Sequence, residues 1–165
     1  MAARVYSDVP RRRYSPEEAY QRICRYCAYQ ERSHQEVRTK LFSYGLFASQ
    51  VEEQITRLIT DGFLNEERFA RAFAGGKFRM QKWGKIKIVR ALEAHGVSSR
   101  CIQRGLTEID APAYTRALKS LLSKKLAGTK DENLFSKRQK AANFAIGKGF
   151  EPELVWELLR ELTHE

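Results

Sequence analysis

The chain carries one pattern of apolar residues and glycine three times, and this repeat constrains the fold more than any other feature. In each copy, apolar residues four apart form one stripe of a helix, and a glycine lies one step past its end. Glycine there can adopt the left-handed conformation that closes a helix, and the next apolar residue can fold back onto the last turn. The matched positions are Val37, Leu41, Gly45, Leu46, Val51 and Ile55; Ile88, Leu92, Gly96, Val97, Ile102 and Leu106; and Ala141, Ala145, Gly149, Phe150, Val155 and Leu159.

Further helical segments surround each copy of this pattern. A longer helix is predicted upstream of each copy, over 16–30, 66–80 and 112–126, and a short helix follows each glycine. Capping-box patterns begin at Ser15 and Ser33, and Asp110 precedes Ala-Pro, which is typical of a helix start. No segment alternates in the way that a strand requires. The sequence therefore predicts an all-α protein made of three copies of a three-helix unit.

The predicted boundaries place repeat 1 at 15–64, repeat 2 at 65–110 and repeat 3 at 111–165, with a loop insertion near 128–133. Residues 1–14, which include Arg11, Arg12 and Arg13, are expected to form a flexible basic arm. A unit of about 50 residues buries little apolar surface alone, so neighbouring copies should pack in series. We expect an elongated, curved array.

Positive charge is concentrated in repeat 2. The protein has a net charge of +10, and repeat 2 holds ten basic residues against five acidic ones. No acidic residue lies between Glu67 and Glu93. Such a run of like charge repels itself and favours an acidic partner, either a polyanion or an acidic protein surface.

The outward-facing cations of this run are the predicted contact residues. Lys87 and Arg90 lie opposite the Ile88/Leu92 stripe on a helical wheel, so they should face solvent. Repeat 1 has His34 and Glu36 where repeat 2 has Lys85 and Lys87, which shows that the fold does not need those charges. The predicted contacts are Arg71, Lys77, Arg79, Lys82, Lys85, Lys87 and Arg90, with Arg138 and Lys140 of repeat 3 second.

Aromatic residues accompany these cations. Phe69, Phe73 and Met80 are predicted to form the inner stripe of their helix. Phe78 lies away from that stripe and is a candidate exposed aromatic, which either packs in the core or contacts a base or a partner side chain. Trp83 and Gly84 break the chain between two helices, so Trp83 either packs in that elbow or stacks on a base. Gly75 and Gly76 lie in the preceding helix and permit either a close helix contact or a bend.

The sequence contains no motif of catalysis. Phosphate-binding loops, dinucleotide fingerprints, HExxH and nucleophile elbows are all missing from it, so we expect no enzyme and no cofactor. Cys24 and Cys27 form a CxxC without the further paired ligands that zinc needs, so we expect no metal and interpret them as small helix side chains. Neither a signal-peptide apolar region nor an apolar run of about 18 residues is present, which predicts a cytoplasmic protein without membrane contact.

The junction of repeats 1 and 2 resembles one known family. The run from Asp61 to Ala70 (DGFLNEERFA), the later Lys82-Trp-Gly84, and the basic helix that leads to Gly96-Val97 are similar to the RecX family of bacterial recombination regulators. The resemblance extends from about Ser15 to the C terminus. It implies tandem three-helix repeats, as the periodicity also predicts.

The resemblance implies a regulatory protein that binds the nucleoprotein filament of the RecA recombinase. Filament extension, ATP hydrolysis, strand exchange and co-protease activity in recombination, DNA repair and the SOS response would then be modulated, mostly by inhibition. We expect a monomer with weak, salt-dependent affinity for single- and double-stranded DNA.

Two alternatives come from other classes. The first is a direct DNA-binding protein of the helix-turn-helix type without a recombinase partner. The second is a structural adaptor without affinity for nucleic acid.

Overall fold

The structure is a computed structural model that describes residues 13–130 and 132–164. Within those residues the chain forms nine helices and no strand, so the predicted all-α class is confirmed. No described helix is long and apolar enough to cross a membrane. The helices are α1 Pro16–Tyr29, α2 His34–Ser43, α3 Ala48–Thr60, α4 Glu66–Gln81, α5 Lys85–Ala94, α6 Ser99–Leu106, α7 Ala111–Gly128, α8 Leu134–Gly147 and α9 Pro152–Leu162.

Side-chain caps begin the helices where the sequence predicts them. The Ser15 hydroxyl accepts a hydrogen bond from the Glu18 N–H at 3.2 Å, and the Glu18 carboxylate accepts one from the Ser15 N–H at 3.0 Å. Ser33 and Glu36 form the same reciprocal pair at the start of α2. Asp110 caps α7. These bonds satisfy N–H groups that a helix start leaves without partners.

Glycine closes the middle helix of each repeat in the left-handed conformation. The φ angles of Gly45, Gly96 and Gly149 are 86°, 75° and 97°. The residue after the glycine folds back in repeats 2 and 3, where the Val97 N–H donates to the Leu92 carbonyl and the Phe150 N–H to the Ala145 carbonyl. The apolar positions of the repeat are buried, apart from Leu106, which is half-buried against the core.

The described chain divides into two compact units. The first ends at Glu66 and encloses its own core between α1, α2 and α3. The second begins at Glu67, and one continuous core runs through the helices of repeats 2 and 3. Packing in series is therefore observed for these two repeats, whereas the elongated, curved array stays a prediction.

Repeats 2 and 3 meet through their backbones at the start of α5. The Gly84 N–H donates to the Lys148 carbonyl at 2.8 Å, and the Ile86 N–H donates to the Gly149 carbonyl at 3.0 Å. A Cβ atom on Gly84 would lie 2.1 Å from the Gly149 carbonyl carbon, so only glycine fits there. We call this backbone contact the seam.

Tyr114 completes the seam from the first turn of α7. Its hydroxyl accepts the Lys85 N–H at 3.0 Å and donates to the Glu151 carboxylate at 2.7 Å. Burial, followed by the hydrogen bond to Glu151, raises the pKa of Tyr114 above its ordinary value, so the phenol stays protonated at neutral pH. The ring packs between Phe78 and Phe150, with ring centres 5.7 and 5.1 Å away.

Two predicted segments lie partly outside the described residues. Residues 1–12 of the predicted basic arm are outside them, whereas Arg13 and Tyr14 are within them. The Arg13 guanidinium lies 4.9 Å from the centre of the Phe47 ring, and the Tyr14 N–H donates to the Tyr44 carbonyl. The predicted insertion lies between the end of α7 and the start of α8, and its Asp131 is also outside the described residues.

The two glycines inside α4 leave the helix continuous. A Cβ on Gly75 would meet the Arg79 guanidinium at 2.7 Å, whereas a Cβ on Gly76 would meet no atom within 4 Å. A close helix contact, one of the two alternatives for this pair, is therefore absent at Gly76. A close helix contact does occur at Gly105, whose Cβ would lie 2.7 Å from the Ala70 carbonyl oxygen.

Substitution of the seam glycine should separate close backbone contact from helix propensity. Gly84→Ala is expected to lower the free energy of unfolding by about 3 kcal/mol, because the added methyl group overlaps the backbone of repeat 3. Gly76→Ala, where the methyl group meets open space, is expected to raise it by about 1 kcal/mol. Urea denaturation followed by circular dichroism measures both. A neutral Gly84→Ala would contradict the seam.

Candidate nucleic-acid and partner interface

A group of cations surrounds the turn between α4 and α5. Arg79, Lys82 and Arg90 are exposed, and the other three are half-buried. Within the described chain, none of the six lies within 4 Å of a carboxylate. We call this group the basic corner, and it consists of Lys77, Arg79, Lys82, Lys85, Lys87 and Arg90.

Aromatic rings hold four of these lysines in place. The ammonium groups of Lys77 and Lys87 lie 4.8 and 4.6 Å from the centre of the Trp83 ring. Lys85 lies 4.8 Å from the Tyr114 ring, and Lys82 lies 5.7 Å from the Phe78 ring. These are cation–π distances, and such contacts keep a charge at the surface while they restrict its side chain.

Trp83 packs in the elbow between the helices. It is half-buried and lies 6.4 Å from the Phe73 ring in an edge-on arrangement. Phe73 in turn contacts His95, which also contacts Phe69. Of the two alternatives for Trp83, elbow packing is therefore observed, and its remaining exposed surface is shared with two lysines.

Lys82 has an unusual backbone. Its φ angle is 55°, in the left-handed region, and its N–H donates to the Phe78 carbonyl at 3.0 Å. This conformation ends α4 in the manner that glycine usually provides. For a residue other than glycine, this left-handed conformation costs about 1 kcal/mol of stability. The backbone alone would therefore favour glycine at the position that Lys82 occupies.

Arg71 differs from the basic corner because its guanidinium is already bound. It donates to the Glu67 carboxylate at 3.0 Å and to the Glu108 carboxylate at 2.9 Å, and Arg104 also approaches Glu67. The hydrogen bond from Arg71 lowers the pKa of the Glu67 carboxyl. Arg71 therefore ties α4 to the end of α6.

Phe78 was a candidate exposed contact with core packing as the alternative, and core packing is observed, so its place among the contact residues is wrong. Its side chain is 6% exposed and packs against Tyr114 of repeat 3. The helical wheel considered only the face that repeat 2 covers, whereas repeat 3 covers a second face of α4. Phe78 therefore belongs to the core, and its ring contacts the ammonium group of Lys82.

The inner position predicted for Met80 is also wrong. Its side chain is 85% exposed. Trp83 continues the apolar stripe in its place, because the chain turns back at Lys82 and brings the indole ring against Phe73. Arg138 and Lys140 lie on α8, the first half-buried and the second exposed.

Sequence analysis missed two cations on α7. Arg116 and Lys124 line a surface groove of about 460 Å³ together with Lys82, and the apolar floor of the groove includes Ala117 and Leu121. Their spacing of eight residues on one helix, with Ser120 midway, could have identified them as one face. Their proximity to Lys82 depends on the packing of repeat 3 against repeat 2.

Comparison with known proteins gives a consistent result over most of the chain. Three family models match: RecX, first three-helix domain, at residues 19–58; RecX, second three-helix domain, at 65–106; and RecX, third three-helix domain, at 113–159.

Curated relatives and solved structures carry the same name. The chain is 29% identical over 146 residues to the Regulatory protein RecX of Prosthecochloris aestuarii, which covers 87% of this chain and 93% of that protein. It is 25% identical over 143 residues to the protein of that name from Geobacillus kaustophilus, covering 87% of this chain. The chain spans about half the length of the Geobacillus relative, 53%. The crystal structure of RecX from Lactobacillus salivarius superimposes with a TM-score of 0.82 at 20% identity over 91% of this chain and 97% of that one, which shows a shared fold.

The backbone of Lys82 allows its charge to be separated from stability. Lys82→Gly is expected to raise the free energy of unfolding by about 1 kcal/mol, because glycine adopts a positive φ without strain. Lys82→Ala removes the same charge but keeps the strain, so it should give no such gain. Thermal denaturation of the two variants tests this difference, and equal stability of both would contradict it.

Proposed function

The chain belongs to the RecX family of regulatory proteins, and on that premise we propose that it binds the nucleoprotein filament of the RecA recombinase and restrains its extension. The basic corner makes the contacts, either with acidic surface of the recombinase or with phosphates of the bound DNA. ATP hydrolysis, strand exchange and co-protease activity fall as a consequence, because each depends on an assembled filament.

The observation that supports this proposal most is a set of cations that have no carboxylate partner among the described residues. Surface cations usually gain little from folding, but six of one sign around one turn repel each other. The rings of Trp83, Tyr114 and Phe78 already order four of the lysines. Less side-chain entropy is then lost when an anionic partner binds. The site is arranged before its partner arrives.

In this proposal, the protein acts by steric obstruction of the filament. A chain that lodges on the filament obstructs both the addition of subunits and the approach of an incoming duplex. No bond is made or broken by the protein itself, in agreement with the regulatory, non-catalytic character of its family.

The alternative, base contact by a helix-turn-helix unit, has less support. In α6, Arg104 is bound to Glu67. In α9, the exposed positions include Glu153, Glu157 and Glu161, which duplex DNA would repel. A helix that enters the major groove needs donors and cations on its free face. On α6, Arg100 and Gln103 are the exposed donors that remain for such contacts, and the exposed face of α9 is mainly acidic.

Charge removal at the basic corner should weaken filament binding selectively. Lys82→Gln with Arg90→Gln removes two cations that have no carboxylate partner among the described residues. We expect about tenfold weaker binding to a RecA filament on single-stranded DNA, measured by fluorescence anisotropy of the labelled strand.

The matched control changes the same residue types at paired positions. Arg104→Gln with Lys119→Gln gives the same net charge but removes cations bound to Glu67 and Glu161. Its affinity should stay within about twofold of the parent protein. An equal loss in both double variants would reduce the effect to net charge and refute the assignment of the basic corner.

Salt dependence separates the two kinds of partner. If about six cations meet phosphates, affinity should fall roughly a thousandfold between about 50 and about 200 mM salt. A much shallower dependence would place the contacts on the protein surface of the filament.

The order in which the protein and RecA are added distinguishes capping of filament ends from occupation along the filament. ATP hydrolysis by RecA on single-stranded DNA is measured with this protein added before or after filament assembly. An effect confined to addition before assembly indicates that growing ends are capped, whereas an equal effect after assembly indicates occupation of the filament along its length. No effect in either order would refute the proposal.

A further inference from the structure

The first unit carries an alternating row of cations and tyrosines. The Arg22 guanidinium lies 4.3 Å from the Tyr14 ring, and Tyr14 meets the Tyr44 ring edge-on at 5.5 Å. Lys40 lies 5.8 Å from the Tyr44 ring and 5.4 Å from the Tyr26 ring, where Arg32 also lies, at 3.8 Å. We call this the tyrosine row, and in spatial order it consists of Arg22, Tyr14, Tyr44, Lys40, Tyr26 and Arg32.

Every member of the row has surface open to solvent. Arg22 is exposed and the other five residues are half-buried, the three tyrosines against the core of the first unit. Burial raises the pKa of both Tyr26 and Tyr44, so these phenols are hydrogen-bond donors at neutral pH. The tyrosines of the row are therefore held by the core of the first unit, and the row is still accessible to a ligand.

The cations of the row lack acidic partners. Among the described residues, neither Arg22, Arg32 nor Lys40 lies within 4 Å of a carboxylate. Two nearby carboxylates serve as helix caps, since Glu18 accepts from the Ser15 N–H and Glu36 from the Ser33 N–H. The positive charge of the row is thus available to an external anion.

The other arginine–tyrosine pair of the unit shows what a purely structural pair looks like. Arg57 lies 3.6 Å from the ring of Tyr20, which is buried and donates to Asp61 at 2.6 Å. Arg57 itself approaches both Asp61 and Glu17. Its charge is compensated inside the unit, whereas the charges of the row are not.

We propose that the tyrosine row is a second binding site, which takes a single strand of nucleic acid independently of the basic corner. Its cations meet successive phosphates, and the tyrosine edges and hydroxyls meet unpaired bases. Rings interleaved with cations suit single strands, because unpaired bases can meet the free edges of the rings and every nucleotide carries a phosphate. An acidic protein segment would engage only the cations, whereas unpaired bases also engage the tyrosine edges and hydroxyls.

Charge removal at the two ends of the row tests the site. Arg22→Gln with Arg32→Gln is expected to weaken binding of the full-length protein to a labelled 20-nucleotide oligothymidylate about tenfold at low salt, in the absence of recombinase. The slope of log affinity against log salt should become shallower by about one to two. Because no filament is present, this result is independent of the proposed function.

The matched control lies in the same unit. Arg38→Gln with Arg57→Gln makes the same chemical change, but both arginines are paired with carboxylates, Arg38 with Glu52 at 2.8 Å. Its affinity for the oligonucleotide should stay within about twofold of the parent protein. Equal losses in the two double variants, or competition by polyglutamate as strong as that by unlabelled oligothymidylate at equal charge, would overturn the proposal.

A tyrosine pair tests the rings without a change in charge. Tyr26→Leu is expected to lower affinity at least fivefold, because the apolar packing is kept while the aromatic surface is lost. Tyr29→Leu, at a ring that is 83% exposed and outside the row, is the control. Circular dichroism confirms that each variant is folded. An affinity of Tyr26→Leu equal to that of its control would overturn the role of the rings even if the arginine variants were unfolded.

Discussion

The second unit depends on the way in which α5 begins. A helix start has N–H groups that need acceptors and a positive end that disfavours cations. Yet α5 starts with Lys85 and Lys87, and Gly84 offers no side-chain cap. The missing acceptors come from repeat 3, as the carbonyls of Lys148 and Gly149. Repeat 2 can therefore carry lysines in this turn only because repeat 3 supplies electron-rich oxygens to it.

The basic corner is built on this seam. A Cβ on Gly149 would meet the Lys87 side chain at 2.3 Å, and the ring under Lys85 is that of Tyr114, which belongs to repeat 3. Lys148 adds a side-chain contact between the two repeats, because its ammonium donates to the Gln81 carbonyl at 2.6 Å and caps the end of α4. The contact that joins the two repeats thus also orients the side chains that face outward. A change at the seam should alter stability and binding together, whereas a change at Arg90 should alter binding alone.

Local features could be predicted from the sequence, because their physics is local. The capping boxes at Ser15 and Ser33 and the left-handed glycines follow from a few adjacent residues. Phe78 could not be placed in this way, since its environment is set by Tyr114, 36 residues later in the chain. The tyrosine row was missed for the same reason: its residues come from α1, α2 and the segments beside them, and helical spacing connects only Arg22 with Tyr26 and Lys40 with Tyr44. Charge counting missed it too, because repeat 1 is nearly neutral as a whole.

If both proposed sites bind anions, net charge by repeat is a poor guide to their position. What matters is whether each cation has a carboxylate partner, and both units contain cations of each kind. The charges of Arg57 and Arg71 are paired with carboxylates within the fold. Arg22 and Arg90 have no such partner among the described residues, although one lies in a nearly neutral repeat and the other in a strongly basic one. Among the described residues, most cations that lie beside a ring without a carboxylate partner fall in two groups, the lysines of the basic corner and the cations of the tyrosine row; Arg13 at Phe47 and Lys125 at Phe144 lie outside both. Aromatic contacts hold the four lysines of the basic corner and the three cations of the tyrosine row, and on this ground we propose both groups, rather than the paired cations, as binding surfaces.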